Sequence, residues 1–121
     1  MVRAPEDLQR PASVRTCIRE ALLLSVCTPH SDSLCGRVGF HRDKGPLTVN
    51  VALSADDWHD GGRLLALCEG RVQAIPREEG EATVHPSTLL HGVSRMRGGA
   101  RYSLICFFKY VDLVLDEQDE G

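Results

Sequence analysis

Residues 47–54 read LTVNVALS. Leu47, Val49, Val51 and Leu53 alternate with Thr48, Asn50, Ala52 and Ser54, the two-residue repeat of a strand whose faces meet different surroundings. Downstream, the loop ADDWHDGG (55–62) leads to RLLAL and RVQAIP on either side of Glu69-Gly70, which predicts a hairpin. A turn at REEGE (77–81) precedes ATVHP (82–86), a short apolar run at 88–90, HGVSR (91–95) and MRGG (96–99). The longest strand candidate, RYSLICFFKYVDLVL, then runs over 101–115. Short strands with turn signals roughly every eight to twelve residues predict an all-β sandwich or barrel of about eight strands. Upstream, Val14, Cys17, Ile18, Ala21 and Leu22 recur at helical spacing between a Ser13 N-cap and Pro29, with Arg15, Arg19 and Glu20 on the other face. This predicts one N-terminal amphipathic helix laid against the barrel.

The chain has 121 residues and 42% apolar side chains, enough for one core and one site. Three segments are expected: a lead-in and supporting helix (1–36), the barrel (37–115) and an acidic tail (116–121). Five of the 17 acids crowd into the last ten residues, so the body carries 14 basic against 12 acidic side chains. A body charge of +2 with six aromatics is too little for a protein that holds nucleic acid as a scaffold. The markedly apolar run at 21–27 is far too short for a membrane span, and MVRAPEDLQRP lacks the apolar stretch of a secretory signal. A cytoplasmic or nuclear location is expected. Cysteines 17, 27, 35, 68 and 106 form an odd set with no CxxC pair, which argues against a disulfide framework or zinc ribbon.

His41-Arg42-Asp43 stands just before the 47–54 strand. On extended backbone, side chains two apart point the same way, so one imidazole and one carboxylate meet on one face. A third ligand has to come from a distant strand, and His91 begins the segment that leads through MRGG to the last strand. Two His and one carboxylate leave several metal positions open, as non-haem Fe(II) oxygenases require. Arg101 and Ser103 are again two apart and offer a cationic fork and a hydroxyl to a carboxylate. An arginine within an apolar strand needs a partner, either a bound anion or a structural acid such as Asp43 or Glu81.

Taken together, HRDKGPLTVNVALS, the GGRL after a Trp-bearing loop, and EGEATVHPSTLLHGVSRMRGGARYSLICFF resemble the 2-oxoglutarate and Fe(II)-dependent dioxygenases, prolyl 4-hydroxylase-like branch, from about Val38 to Phe108. The order of HxD, GG, distal His and an Arg ten residues on is more specific than any one piece. The resemblance implies a double-stranded β-helix, or jelly-roll barrel. It implies Fe(2+) on His41, Asp43 and His91, and 2-oxoglutarate held at its far carboxylate by Arg101 and Ser103. O2 would be the second cosubstrate and succinate and CO2 the coproducts, with a protein or peptide side chain as the hydroxylated substrate. It extends to L-ascorbate as a further cofactor. The chain departs from the pattern at Val38, where prolyl hydroxylases place a tyrosine three residues before the first metal histidine.

Thr48 and Asn50 share the polar face of their strand, to line the cosubstrate pocket or to hydrogen-bond within the barrel. Trp58 and His59 lie on a loop that could touch substrate, with a capping aromatic as the plainer role. Gly61-Gly62 serves the backbone at a tight strand entry. His30-Ser31-Asp32, a second HxD, reads as a surface turn, and His85 beside Pro86 as structural. Two other functions compete: a non-catalytic jelly-roll interaction module, and a cupin-like metalloenzyme that does not use 2-oxoglutarate.

Overall fold

The computed structural model describes residues 12–30 and 37–115. The lead-in before Ala12, the acidic tail after Leu115, and Ser31 and Asp32 of the second HxD lie outside the described residues. Ten strands follow in order: β1 (Ala12–Cys27), β2 (Val38–His41), β3 (Leu47–Ala52), β4 (Asp60–Gly61), β5 (Leu64–Cys68), β6 (Arg71–Ile75), β7 (Ala82–Pro86), β8 (His91–Val93), β9 (Met96–Gly98) and β10 (Arg101–Leu115). A single 3-10 turn at Asp56–Trp58 is the helical element among the described residues. None of the described helices is long and apolar enough to cross a membrane.

The strands form two antiparallel four-stranded sheets, β1-β10-β3-β7 and β2-β8-β5-β6, with β4 and β9 as a separate pair. Two such sheets face to face make the double-stranded β-helix that the motifs imply. The hairpin of β5 and β6 turns at Glu69 (φ 53°) and Gly70 (φ 75°). Left-handed backbone at two successive residues is what a tight two-residue hairpin demands.

The expected N-terminal helix is a strand instead. Residues 12–27 pair with β10 from Ala12↔Leu115 to Cys27↔Arg101, broken by one irregularity between Arg19 and Ala21. A helical spacing of five apolar residues is outweighed here by a partner strand that offers a ladder along its whole length. The sequence also carries β-branched Thr16, Ile18 and Val26 and a continuous Leu22-Leu23-Leu24 run, which no helix face accommodates on one side. Along β1, Leu23, Ser25 and Cys27 share one face and turn toward a cavity between the sheets.

The alternation in β3 is observed, with the polar face inward: Thr48, Asn50 and Ala52 are buried while Leu47, Val49 and Val51 are half-buried. The whole interior follows this inversion. Among the described residues, six apolar side chains are buried against nine polar or charged ones, including Arg77, Arg101, His85 and His91. Charged groups are seldom fully buried without a purpose, so the space between the sheets is organised around a site.

Candidate active site

Antiparallel pairing of β2 with β8 sets His41 directly opposite His91, which joins two stretches fifty residues apart in sequence. Gly92 makes that approach possible, since a Cβ there would stand 2.7 Å from the Val38 carbonyl oxygen. Asp43 follows β2 by two residues and is fixed by its amide, which donates to Ser87 O at 3.1 Å. The result brings the sequence-selected trio together: His41 Nε2 lies 3.3 Å from Asp43 Oδ1, and His91 Nε2 lies 3.5 Å from Asp43 Oδ2. One ligand atom from each of the three lies within 4.8 Å of the others.

The tautomers are set by backbone carbonyls, which can only accept. Nδ1–H of His41 donates to Gly39 O (2.8 Å), and that of His91 to Leu89 O (3.0 Å). With Nδ1 committed to a carbonyl, Nε2 is the atom that each ring can offer as a lone pair on the side of the Asp43 carboxylate. Acceptors that converge with no proton between them repel, and a cation relieves that repulsion, so these residues fit a divalent metal ion. His85 comes closer to this cluster than its expected structural role suggests. Its Nδ1–H donates to Pro86 O (2.9 Å), its Nε2 stands 3.7 Å from Asp43 Oδ2, and its ring centroid is 4.5 Å from that of His91.

Thr48 takes the hydrogen-bonding role: its Oγ1 donates to Asp43 Oδ2 at 2.7 Å. Outer-shell partners of this kind orient a ligand and typically account for about 10- to 100-fold in metal affinity. Thr48→Val is expected to weaken Zn(II) or Co(II) binding by at least about tenfold on this scale. Unchanged affinity by calorimetric titration would remove Thr48 from the site.

Burial holds the His91 pKa below 6.5, opposed by its bond to Leu89 O and by Asp43, and reinforced by His41 and His85. The unfolded chain thus takes up this proton at a higher pH than the folded one. The stability contribution is whole above pH 6.5 and declines as the pH falls through that value toward the lowered folded pKa. The melting temperature of metal-free protein should fall between pH 7.5 and 5.5; a rising midpoint across that interval contradicts the assignment.

Asp43, Thr48, Asn50, His41, His91 and Arg101 all open on one cavity of about 210 Å³, lined on its apolar side by Leu23, Ile105 and Phe107. Arg101 is 3% exposed. Among the described residues it forms no ion pair with Asp43, Glu81 or any other acid, and its Nη2 has no hydrogen-bond partner. Burial lowers its pKa, with the neighbouring Cys27 thiol and Asp56 acting the other way. Gly62 (φ 66°) makes room for it, because a Cβ there would collide with Met96 Sδ and press on Arg101 Cδ at 3.3 Å.

Ser103 is fully buried on the same strand face as Arg101, but its hydroxyl already accepts from Arg77 Nη1 at 3.3 Å. Asn50 Oδ1 likewise accepts from Arg77 Nη2 at 2.7 Å. Arg77, buried at 4% exposure, escaped the sequence reading, because an arginine in the turn REEGE carries no signal that separates it from a solvated cation. The loop candidates divide. Trp58 is 58% exposed and caps nothing, whereas His59 is 7% exposed with Nδ1–H on Gly61 O at 2.8 Å, so it supports its loop and does not face outward. Neither borders the cavity that holds His91 and Arg101.

No family model matches the chain. A PKHD-type hydroxylase of Gluconacetobacter diazotrophicus is 32% identical over 76 residues, 63% of this chain and 33% of that protein. Among solved structures, an oxidoreductase of the 2OG-Fe(II) oxygenase family from Burkholderia pseudomallei superposes with a TM-score of 0.64 at 21% identity, over 78% of this chain and 45% of that one. A cupin domain from Bordetella pertussis superposes with a TM-score of 0.54 at 18% identity, over 84% of this chain and 97% of that one. The chain spans one third of the length of the curated relative and under half of the oxygenase. The jelly-roll fold is shared with both structures, and the resemblance to 2-oxoglutarate and Fe(II)-dependent, prolyl hydroxylase-like proteins agrees with the sequence match.

Proposed function

We propose that the protein is an Fe(II)- and 2-oxoglutarate-dependent dioxygenase that hydroxylates a protein or peptide side chain. The observation that carries this reading is the junction, in one cavity, of the His41, Asp43 and His91 ligand atoms with a buried guanidinium that forms no ion pair among the described residues. When bound, Fe(II) supplies the O2 chemistry that couples decarboxylation of 2-oxoglutarate, to succinate and CO2, with hydroxylation. His41 and His91 would hold the ion through Nε2 and Asp43 through its carboxylate, while Thr48 fixes that carboxylate. Three protein ligands on one side leave room for both cosubstrates. Arg101 would receive the far carboxylate of 2-oxoglutarate, and at 3% exposure its guanidinium sits where electrostatic contacts are stronger than in water.

The peptide substrate, the role of L-ascorbate and a cytoplasmic or nuclear location rest on the resemblance and the sequence. A cupin-like metalloenzyme that does not use 2-oxoglutarate is favoured by the cupin superposition alone, and it leaves the buried Arg101 without an anionic partner among the described residues. Consumption of 2-oxoglutarate and release of succinate, assayed against a peptide library with His91→Ala as blank, tests the reading. Turnover equal in wild type and blank would reject it, and turnover that ignores Arg101→Ala would favour the cupin-like alternative.

A further inference from the structure

Arg77 enters the interior from the turn between β6 and β7. Its backbone is clamped to the 3-10 turn in both directions: its amide donates to Asp56 Oδ2 (3.0 Å), and the Asp56 amide donates to Arg77 O (3.1 Å). The guanidinium then reaches two strands of the β1-β10-β3-β7 sheet. Nη2 donates to Asn50 Oδ1 (2.7 Å) and Asn50 O (3.4 Å), and Nη1 donates to Ser103 Oγ (3.3 Å). Among the described residues no carboxylate lies within ion-pair distance of it, and its Nε has no hydrogen-bond partner. Burial and the nearby Arg101 bring its pKa down to about 10, opposed by Asp56 and Glu81, so it stays cationic at neutral pH.

A guanidinium carries only donors. Facing it, Asn50 has to present its carbonyl oxygen, which turns the amide NH2 away. Ser103 gives Arg77 a lone pair, which frees its own O–H to donate elsewhere. The Asn50 amide is thereby oriented as a donor, and Ser103 keeps its O–H to donate. Asn50 opens on the same cavity as Arg101, and Ser103 lies two residues along β10 on the same strand face. Two buried cations with unpaired N–H groups destabilise a protein unless an anion completes them.

We propose that Arg77 is a positioning residue for a dicarboxylate. It sets the Asn50 amide and the Ser103 hydroxyl as donors to the carboxylate that Arg101 receives, and it places a second buried positive charge behind them. The inference rests on the cosubstrate reading above and deepens it. It makes the site selective for a doubly charged 2-oxo acid over a singly charged one of the same chain length.

The test uses the full chain loaded with Zn(II), titrated calorimetrically with 2-oxoglutarate and with 2-oxopentanoate, which lacks the far carboxylate. Wild type should prefer 2-oxoglutarate. Arg77→Met should lose on the order of tenfold or more of that preference, as expected for charge-assisted hydrogen bonds, with the affinity for 2-oxopentanoate unchanged. Arg77→Lys, which keeps the charge and one donor direction, should recover part of it. Thermal melts show which variants fold. If Arg77→Met does not, Arg77→Lys decides, and a preference equal to wild type counts against the proposal. An unchanged preference in Arg77→Met, or an equal loss for both acids, makes Arg77 a structural clamp only and overturns the inference. Wild type that binds neither acid removes the cosubstrate reading itself, a different failure from one confined to the Arg77 variants.

Discussion

Asp43→Ala is expected to abolish tight divalent-metal binding, with a loss of more than about a hundredfold. Outer-shell substitutions alone reach that range, and Asp43 stands at the centre of the cluster. His41 and His91 both point Nε2 at it within 3.5 Å, and Thr48 donates to it. Without the carboxylate, only the imidazoles of His41, His91 and the nearby His85 remain, with no negative charge to offset the dehydration of a divalent ion. Co(II) titration followed by its visible absorption reads the effect directly. Asp43→Asn, which keeps the size and the bond from Thr48, should lose nearly as much because the charge is gone. Metal affinity within a few-fold of wild type in either variant would mean that the ion, if any, is held elsewhere.

Arg101→Met is expected to move stability and binding in opposite directions. The guanidinium is 3% exposed and has an unpaired Nη2. A buried cation without an acid is destabilising, whereas an apolar side chain of similar volume is tolerated. The metal-free, ligand-free variant should therefore melt a few degrees above wild type, on the scale where about 1 kcal/mol shifts a domain of this size by several degrees. Its affinity for 2-oxoglutarate, measured on Zn(II)-loaded protein, should fall by on the order of a hundredfold, since a charge-assisted and geometrically matched pair is lost. Such opposition is the mark of a residue kept for function at the expense of stability. A variant that melts lower and binds 2-oxoglutarate normally would assign Arg101 a structural role.

The barrel strands are legible in the sequence because the signals involved are local. Alternation in LTVNVALS and the turn chemistry of Glu69-Gly70 depend on few residues, and the resulting strands agree with the observed β3, β5 and β6. The convergence of His41 and Asp43 is legible because HxD is a short spacing on extended backbone, while their union with His91 needs the motif order and not any local rule. Other features are tertiary. Residues 12–27 are committed to a strand by the whole length of β10, a partner more than seventy residues away, which a helical periodicity of five positions cannot register. Arg77 and His85 are functional candidates by packing alone: one turns inward from a charged loop, and the other reaches Asp43 across the β3 and β7 pairing, where Thr48 faces His85. The contrast between Trp58 and His59 has the same origin, since their burial is decided by what covers a loop and not by the loop itself.

The central claim is that one cation and one dicarboxylate share the cavity between the sheets. Anaerobic addition of Fe(II) and then 2-oxoglutarate tests it most directly, because a 2-oxo acid chelated to ferrous iron gives a visible charge-transfer absorption. The structure predicts that this band grows in and saturates near one equivalent of each, and that it is lost in Asp43→Ala. A protein that stays colourless with both in excess, or a band of equal strength in the variant, would contradict the account.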